Sequence, residues 1–205
     1  MDHGPHIYQQ ISLHSAGLVL GLFLVALHAL MLAKAEWCQT WLKKLPRHYN
    51  AGVYMMGIGM LWFWLLVAPE THGAFSFLSK LSMDLGEFRA MKPILQLVVP
   101  IAFVGLIMSV REFLFVRGLG LTMLMAAAPL LAAAFLKDPS SRLLVPIYAY
   151  GLIILGLYLV GMPYLFRDFV NWVTAKQNRW RASAMGGLVY GILVLASALI
   201  FWKGY

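Results

Sequence analysis

The sequence predicts an all-α integral membrane protein: a six-transmembrane-helix bundle with short loops and no soluble domain. Three observations carry this expectation. The 205-residue chain is 61% hydrophobic and only 12% charged, with a mean hydropathy of +0.77. Soluble domains sit near half apolar and a quarter charged, and a chain of this size has too small a core to bury the excess. Six apolar stretches also approach the length of about 20 residues that a helix needs to cross the hydrocarbon. Finally, the basic residues gather mostly between and beside those stretches rather than inside them.

The predicted spans are 11–33, 51–69, 93–116, 119–136, 143–166 and 184–202, within one transmembrane domain covering 1–205. The opening "MDHGPHIYQQ" has no Lys or Arg, and the apolar run after it exceeds the hydrophobic region of a signal peptide. That run is therefore expected to be a retained span. Span one carries Gly17 and Gly21, a GxxxG pair of the kind that lets helices approach closely in lipid. Span two contains the pair Met56 and Met60. Span three is the least uniform, with Gln96 inside it and Arg111 and Glu112 near its end. "VRGLG", 116–120, reads as a short glycine turn, so spans three and four are expected to form an antiparallel hairpin. Span four holds Ala128 and Ala132 in "AAAPLLAAA"; span five holds Gly151, Gly156 and Gly161; span six holds Ser183, Gly187 and Gly191. These small-residue stripes predict a compact bundle or a larger assembly. Pro100, Pro129, Pro146 and Pro163 all fall inside the expected spans, where each removes a backbone donor.

Charge sets an orientation. Ten Lys and Arg lie in or beside the loops after spans one, three and five, and six lie on the other side. The positive-inside tendency places the first group in the cytoplasm, with both termini on the non-cytoplasmic side of the cell (inner) membrane. The net charge of +8 thus has a topological explanation, and nucleic acid is not an expected partner. Trp37, Trp41, Trp172, Trp180 and Trp202 fall near span ends, as an aromatic belt requires. Segment 35–50 has the mixture expected of a short amphipathic interfacial helix. Segment 70–92 is expected to form a second one or a surface for another subunit. The single cysteine, Cys38, excludes an internal disulfide framework.

The candidate chemistry centres on "HSAGLVLGLFLVALH", 14–28. Fourteen residues fall about 40° short of four helical turns, so His14 and His28 share one face, about 21 Å apart along the axis. Gly17 and Gly21 lie on or beside that face. The pattern resembles the ligand helices of di-haem cytochromes b, in which one helix offers a histidine to a haem near each membrane surface. The resemblance covers this helix alone and implies haem b, with Gly21 giving the macrocycle room. A six-coordinate haem needs opposing ligands. By side, His48 pairs with His28 and His72 with His14, although both flank span two rather than lying within it. The alternative is that His14 and His28 make hydrogen bonds between helices.

Two further patterns bear on chemistry. Met56 and Met60, with the histidine-bearing start, superficially resemble small copper-uptake channels. Glu112 suggests a proton relay or a quinone contact, against the simpler role of Arg111 and its neighbour as interfacial anchors. No Asp, Glu or Lys lies at the middle of a span, which argues against a pump with its own central carboxylate. No nucleophile motif, phosphate loop or zinc signature is present, so no self-contained catalytic site is expected. The sequence therefore points to an integral membrane subunit of a larger energy-converting complex of respiratory or electron-transfer type. Its partners would be the lipid bilayer and other membrane subunits, and its role structural or supporting a haem b or quinone site. The alternative is a small-solute or metal-ion transporter or channel.

Overall fold

The computed structural model describes residues 6–69, 78, 81–110 and 112–205. The chain is all-helical, with no strand among the described residues. Eight α-helices are present there: α1 Leu13–Ala33, α2 Ala35–Lys44, α3 Tyr49–Leu66, α4 Lys92–Ser109, α5 Leu114–Ala134, α6 Leu144–Gly161, α7 Tyr164–Thr174 and α8 Gln177–Ile200. Short 3-10 turns precede α1, α3, α4 and α6.

Among the described residues, five helical segments are long and apolar enough to cross a membrane: Leu13–Ala33, Gly86–Ser109, Leu114–Ala134, Ser140–Gly161 and Gln177–Ile200. The remaining long helix, α3, has 18 residues. It begins with Tyr49 and Asn50 and carries Trp62 and Trp64, which dilute its apolar character.

Local chemistry explains the helix ends. Ser12 caps α1 by accepting a hydrogen bond from the Ser15 N–H, and His48 caps α3 through the Ala51 N–H. The expected turn at "VRGLG" is displaced. Residues 116–120 are helical, and the chain instead breaks at Val110–Phe113, where Phe113 adopts a left-handed conformation with φ of 57°. The Phe113 N–H donates to Pro46 O at 3.2 Å, tying this turn to the start of α3. Gly118 and Gly120 are small for packing, not for turning: a Cβ on Gly118 would stand 2.8 Å from the Met56 Cα, and one on Gly120 2.7 Å from the Gly156 carbonyl oxygen. Nor do α4 and α5 form a hairpin pair. α4 lies against α3, while α5 packs between α3 and α6.

The expected fifth span, 143–166, ends at Gly161, and a separate amphipathic helix, α7, follows. Pro163 lies in the connection, and Pro146 lies in the first turn of α6, where a missing N–H costs nothing. Of the four prolines in the expected spans, Pro100 and Pro129 lie inside helices that continue through them. The expected sixth span begins earlier than 184, because α8 runs from Gln177.

The first and last helices form the most extensive pair, and α8 also reaches α7. A buried apolar cluster joins Leu13, Leu20 and Leu24 of α1 to Val194 and Ala198 of α8, with Ala134, Val145 and Trp202. Trp180 and Trp202 are fully buried, not members of an exposed belt. Trp180 Nε1 donates to Met31 O at 3.0 Å, and Trp202 Nε1 to Ser141 Oγ at 2.9 Å. Each indole thus plugs a gap between helices while its N–H is satisfied. Trp37, Trp41 and Trp172 are about half exposed, as a belt position demands. α4 stands apart: 6% of its span is buried, against 22–33% in the other four.

Candidate functional site

The His14–His28 face of α1 meets α8. The facing stripes are the small-residue motifs of both helices. A Cβ on Gly21 would lie 2.8 Å from the Leu195 backbone nitrogen, and one on Gly191 2.8 Å from Leu24 Cβ. A Cβ on Gly17 would overlap the Trp202 ring, and one on Gly187 the His28 imidazole. The GxxxG pair of α1 and the Gly187–Gly191 pair of α8 are therefore two halves of one interface, with His28 seated in the notch left by Gly187, whereas Ser183, the third residue of that stripe, is exposed.

Hydrogen bonds fix the imidazole protons. His14 Nδ1 lies 2.9 Å from Ala198 O, and His28 Nδ1 lies 2.8 Å from Leu24 O. A carbonyl only accepts, so each Nδ1 carries a proton, and in the neutral ring Nε2 is the nitrogen with the lone pair. This is the tautomer that a haem-ligating histidine uses. For His28 the lone pair is turned into the Gly187 notch. The half-buried His14 interacts across helices, whereas His28 bonds within its own helix. The expected interhelical hydrogen bond is thus present at His14, and His28 contributes shape to the interface instead.

The other histidines differ. His48 Nδ1 accepts the Ala51 N–H at 3.2 Å, so its proton is on Nε2 and neither nitrogen offers a free lone pair while the cap holds. His6 behaves likewise: its Nδ1 accepts from the Tyr8 N–H and its Nε2 donates to Leu81 O at 2.9 Å. His72 lies outside the described residues. α1 packs on α8, whereas α3, which His48 caps, packs on α5 and α4. The interface between α1 and α8 is closed at Gly21 by the Leu195 backbone, so no macrocycle fits there as the helices stand. The residues present do not fit a haem held between these two helices.

The remaining candidates are also placed. Met56 is buried against Gly118, and Met55 Sδ accepts from Thr122 Oγ1 at 3.7 Å. Met60 lines an apolar groove of about 520 Å³ between α3 and α4, with Tyr54, Trp64, Pro100 and Phe103. Glu112 is exposed in the turn before α5, and Arg111 lies outside the described residues. Among the described residues, no three His, Cys, Asp or Glu side chains converge as a metal site.

Three tethers escaped sequence reasoning. Trp64 Nε1 donates to Gln96 O at 3.1 Å, and Gln96 Nε2 donates to Val67 O at 2.8 Å, clamping α4 to α3. Gln96 as a polar residue within an apolar run was the available signal. Trp62 Nε1 donates to the Tyr8 hydroxyl, pinning the segment before α1 onto α3. Burial raises the Tyr8 phenol above its ordinary range, partly opposed by that hydrogen bond. Cys38 is buried with Val173 and Trp180 where α2, α7 and α8 meet. Burial raises its thiol, with Lys34 pulling the other way. Neither Tyr8 nor Cys38 has a partner arrangement that would make it a nucleophile.

Comparison with protein-family models, with curated proteins and with solved structures finds no match to this chain.

Proposed function

We propose that this chain is a multi-pass subunit of a larger membrane complex, in which it has a structural rather than catalytic role. The reading takes α3 as a sixth span, so that both termini share the non-cytoplasmic side of the cell membrane. The observation that supports it is α4. Apolar burial does not hold helices together in lipid; close packing and hydrogen bonds do. α4 has only 6% of its span buried in this chain and is held to α3 by the Gln96 and Trp64 hydrogen bonds. Another subunit's helix would supply the packing that α4 lacks.

A respiratory or electron-transfer setting remains part of the proposal. A haem-supporting role requires α1 and α8 to separate at Gly21, or iron to approach His14 from another side. The test is purification of the full chain from its native membrane in mild detergent, followed by blue-native electrophoresis and mass spectrometry. Stoichiometric partners that are lost on replacing Leu97 or Ile101, both exposed on α4, by Trp support the reading. A lone, stable monomer overturns it.

A further inference from the structure

The end of the molecule that carries α2, α7 and the start of α8 is strongly cationic. Segments 34–47 and 164–181 hold eight Lys and Arg against two acids, Glu36 and Asp168. Exposed Trp37, Trp41, Phe169 and Trp172 share those segments. Within this region a groove of about 360 Å³ is lined by Leu32, Ala35, Gln177, Trp180, Arg181 and Met185. Its composition is graded along the helix axes. Gln177 and Arg181 lie at the polar start of α8, while the apolar lining comes from Leu32 in the last turn of α1 and from Met185, one turn further into α8 than Arg181. Trp180 forms a rigid wall, fully buried and hydrogen-bonded to Met31 O.

We propose that this groove seats one anionic phospholipid, its phosphate against Arg181 and Gln177 and the start of an acyl chain along Leu32 and Met185. Charge complementarity selects this occupant, because a groove with an unpaired guanidinium at its polar rim and hydrocarbon below matches a phosphodiester joined to a chain. Arg179, two residues earlier and so on a different face of α8, is already engaged: it sits 4.7 Å from the Trp172 ring centre and donates to Trp172 O. Arg181 is exposed and has no hydrogen bond or ion pair among the described residues. Gln177 is oriented by Gln39 Nε2, which donates to its Oε1 at 3.2 Å, leaving its amide N–H groups for a phosphate oxygen. The site does not depend on the subunit reading and would be filled in a monomer.

The test is native mass spectrometry of the delipidated full chain in detergent, titrated with phosphatidylglycerol or phosphatidylcholine of the same acyl composition. The first phosphatidylglycerol is expected to bind at least about fivefold more tightly, the effect of one basic residue near an anionic headgroup. R181Q should lose about that factor for phosphatidylglycerol and change phosphatidylcholine binding little, with R181K retaining most of it. Q177A should weaken the same binding, and K203Q, beyond the other end of α8, should not. Equal affinity for the two lipids overturns the proposal. So does undiminished binding by both R181Q and Q177A, or displacement of the lipid by millimolar inorganic phosphate. Thermal unfolding of each variant identifies any that fails to fold, and the other polar variant then decides.

Discussion

Replacing Gly187 by Ala tests the central contact of the α1–α8 interface. The added Cβ would overlap the His28 imidazole. The ring is held by its Nδ1 hydrogen bond to Leu24 O at 2.8 Å, so it cannot move without breaking that bond or pushing the helices apart. Overpacking of this kind costs about 1–3 kcal/mol, and losing the imidazole hydrogen bond adds about 1 kcal/mol. Gly186 is the internal control. It neighbours Gly187, but a Cβ there meets nothing within 4 Å, so Gly186→Ala should be neutral or stabilising by up to about 1 kcal/mol through helix propensity. The single buried thiol, Cys38, provides the assay: a thiol-reactive fluorogenic dye reports unfolding on heating in detergent. With about 2–4 °C per kcal/mol for a chain of this size, Gly187→Ala should lower Tm by several degrees while Gly186→Ala does not. Truncating the ring identifies the cause. In a His28→Ala background the penalty of Gly187→Ala should shrink, giving a coupling of about 0.5–3 kcal/mol. Equal Tm for the two glycine variants, or no coupling with His28, would refute the reasoning.

Further outcomes are expected. Gln96→Leu removes a donor to Val67 O and should cost about 0.6–2 kcal/mol; a cysteine pair engineered across α3 and α4 should then cross-link more slowly, and an unchanged rate would count against the clamp. Tyr8→Phe leaves the part-buried Trp62 N–H without its acceptor and should destabilise by about 0.5–1.5 kcal/mol, with Trp62→Phe in the same chain recovering part of the loss. Cys38 has a thiol raised above its ordinary value of 9.0 by burial. Its contribution to stability is therefore full below that value and lost as pH rises through the folded-state pKa. Circular dichroism melts should show a decline above about pH 9 that is smaller in Cys38→Ala, and parallel curves would reject the assignment. The closed Gly21–Leu195 contact predicts no Soret or α band in a reduced-minus-oxidised spectrum of the folded chain. Such bands, lost in His14→Ala, would show that α1 does carry a haem.

The apolar spans were legible because length and hydropathy are local properties, and the helices lie near their expected positions. Partners within the bundle were less so. Gly17, Gly21, Gly187 and Gly191 marked close-packing faces, but their contacts on the facing helix join residues about 160–185 positions apart. The hairpin at "VRGLG" failed for a definable reason. Gly118 and Gly120 have the composition of a turn, yet they are needed where α5 meets Met56 and Gly156. Phe113, which does take the left-handed conformation, carries no sequence signal for it. Trp180 and Trp202 sit where belt residues sit, and only burial separates them from Trp37 and Trp41. For the histidines, periodicity placed His14 and His28 on one face, whereas the proton positions that decide their chemistry depend on carbonyls the sequence does not reveal.

The pairing of α1 with α8 also bears on biogenesis. α1 leaves the ribosome some 140 residues before its partner begins. Until Gln177–Ile200 is made, the glycine notch face of α1, which carries His14 and His28, lacks the helix it packs on, and the His14 ring lacks its Ala198 acceptor. The α3–α5–α6 contacts do not involve α8, so the docking of the last helix onto α1 is the one extensive pairing that must wait for the end of the chain.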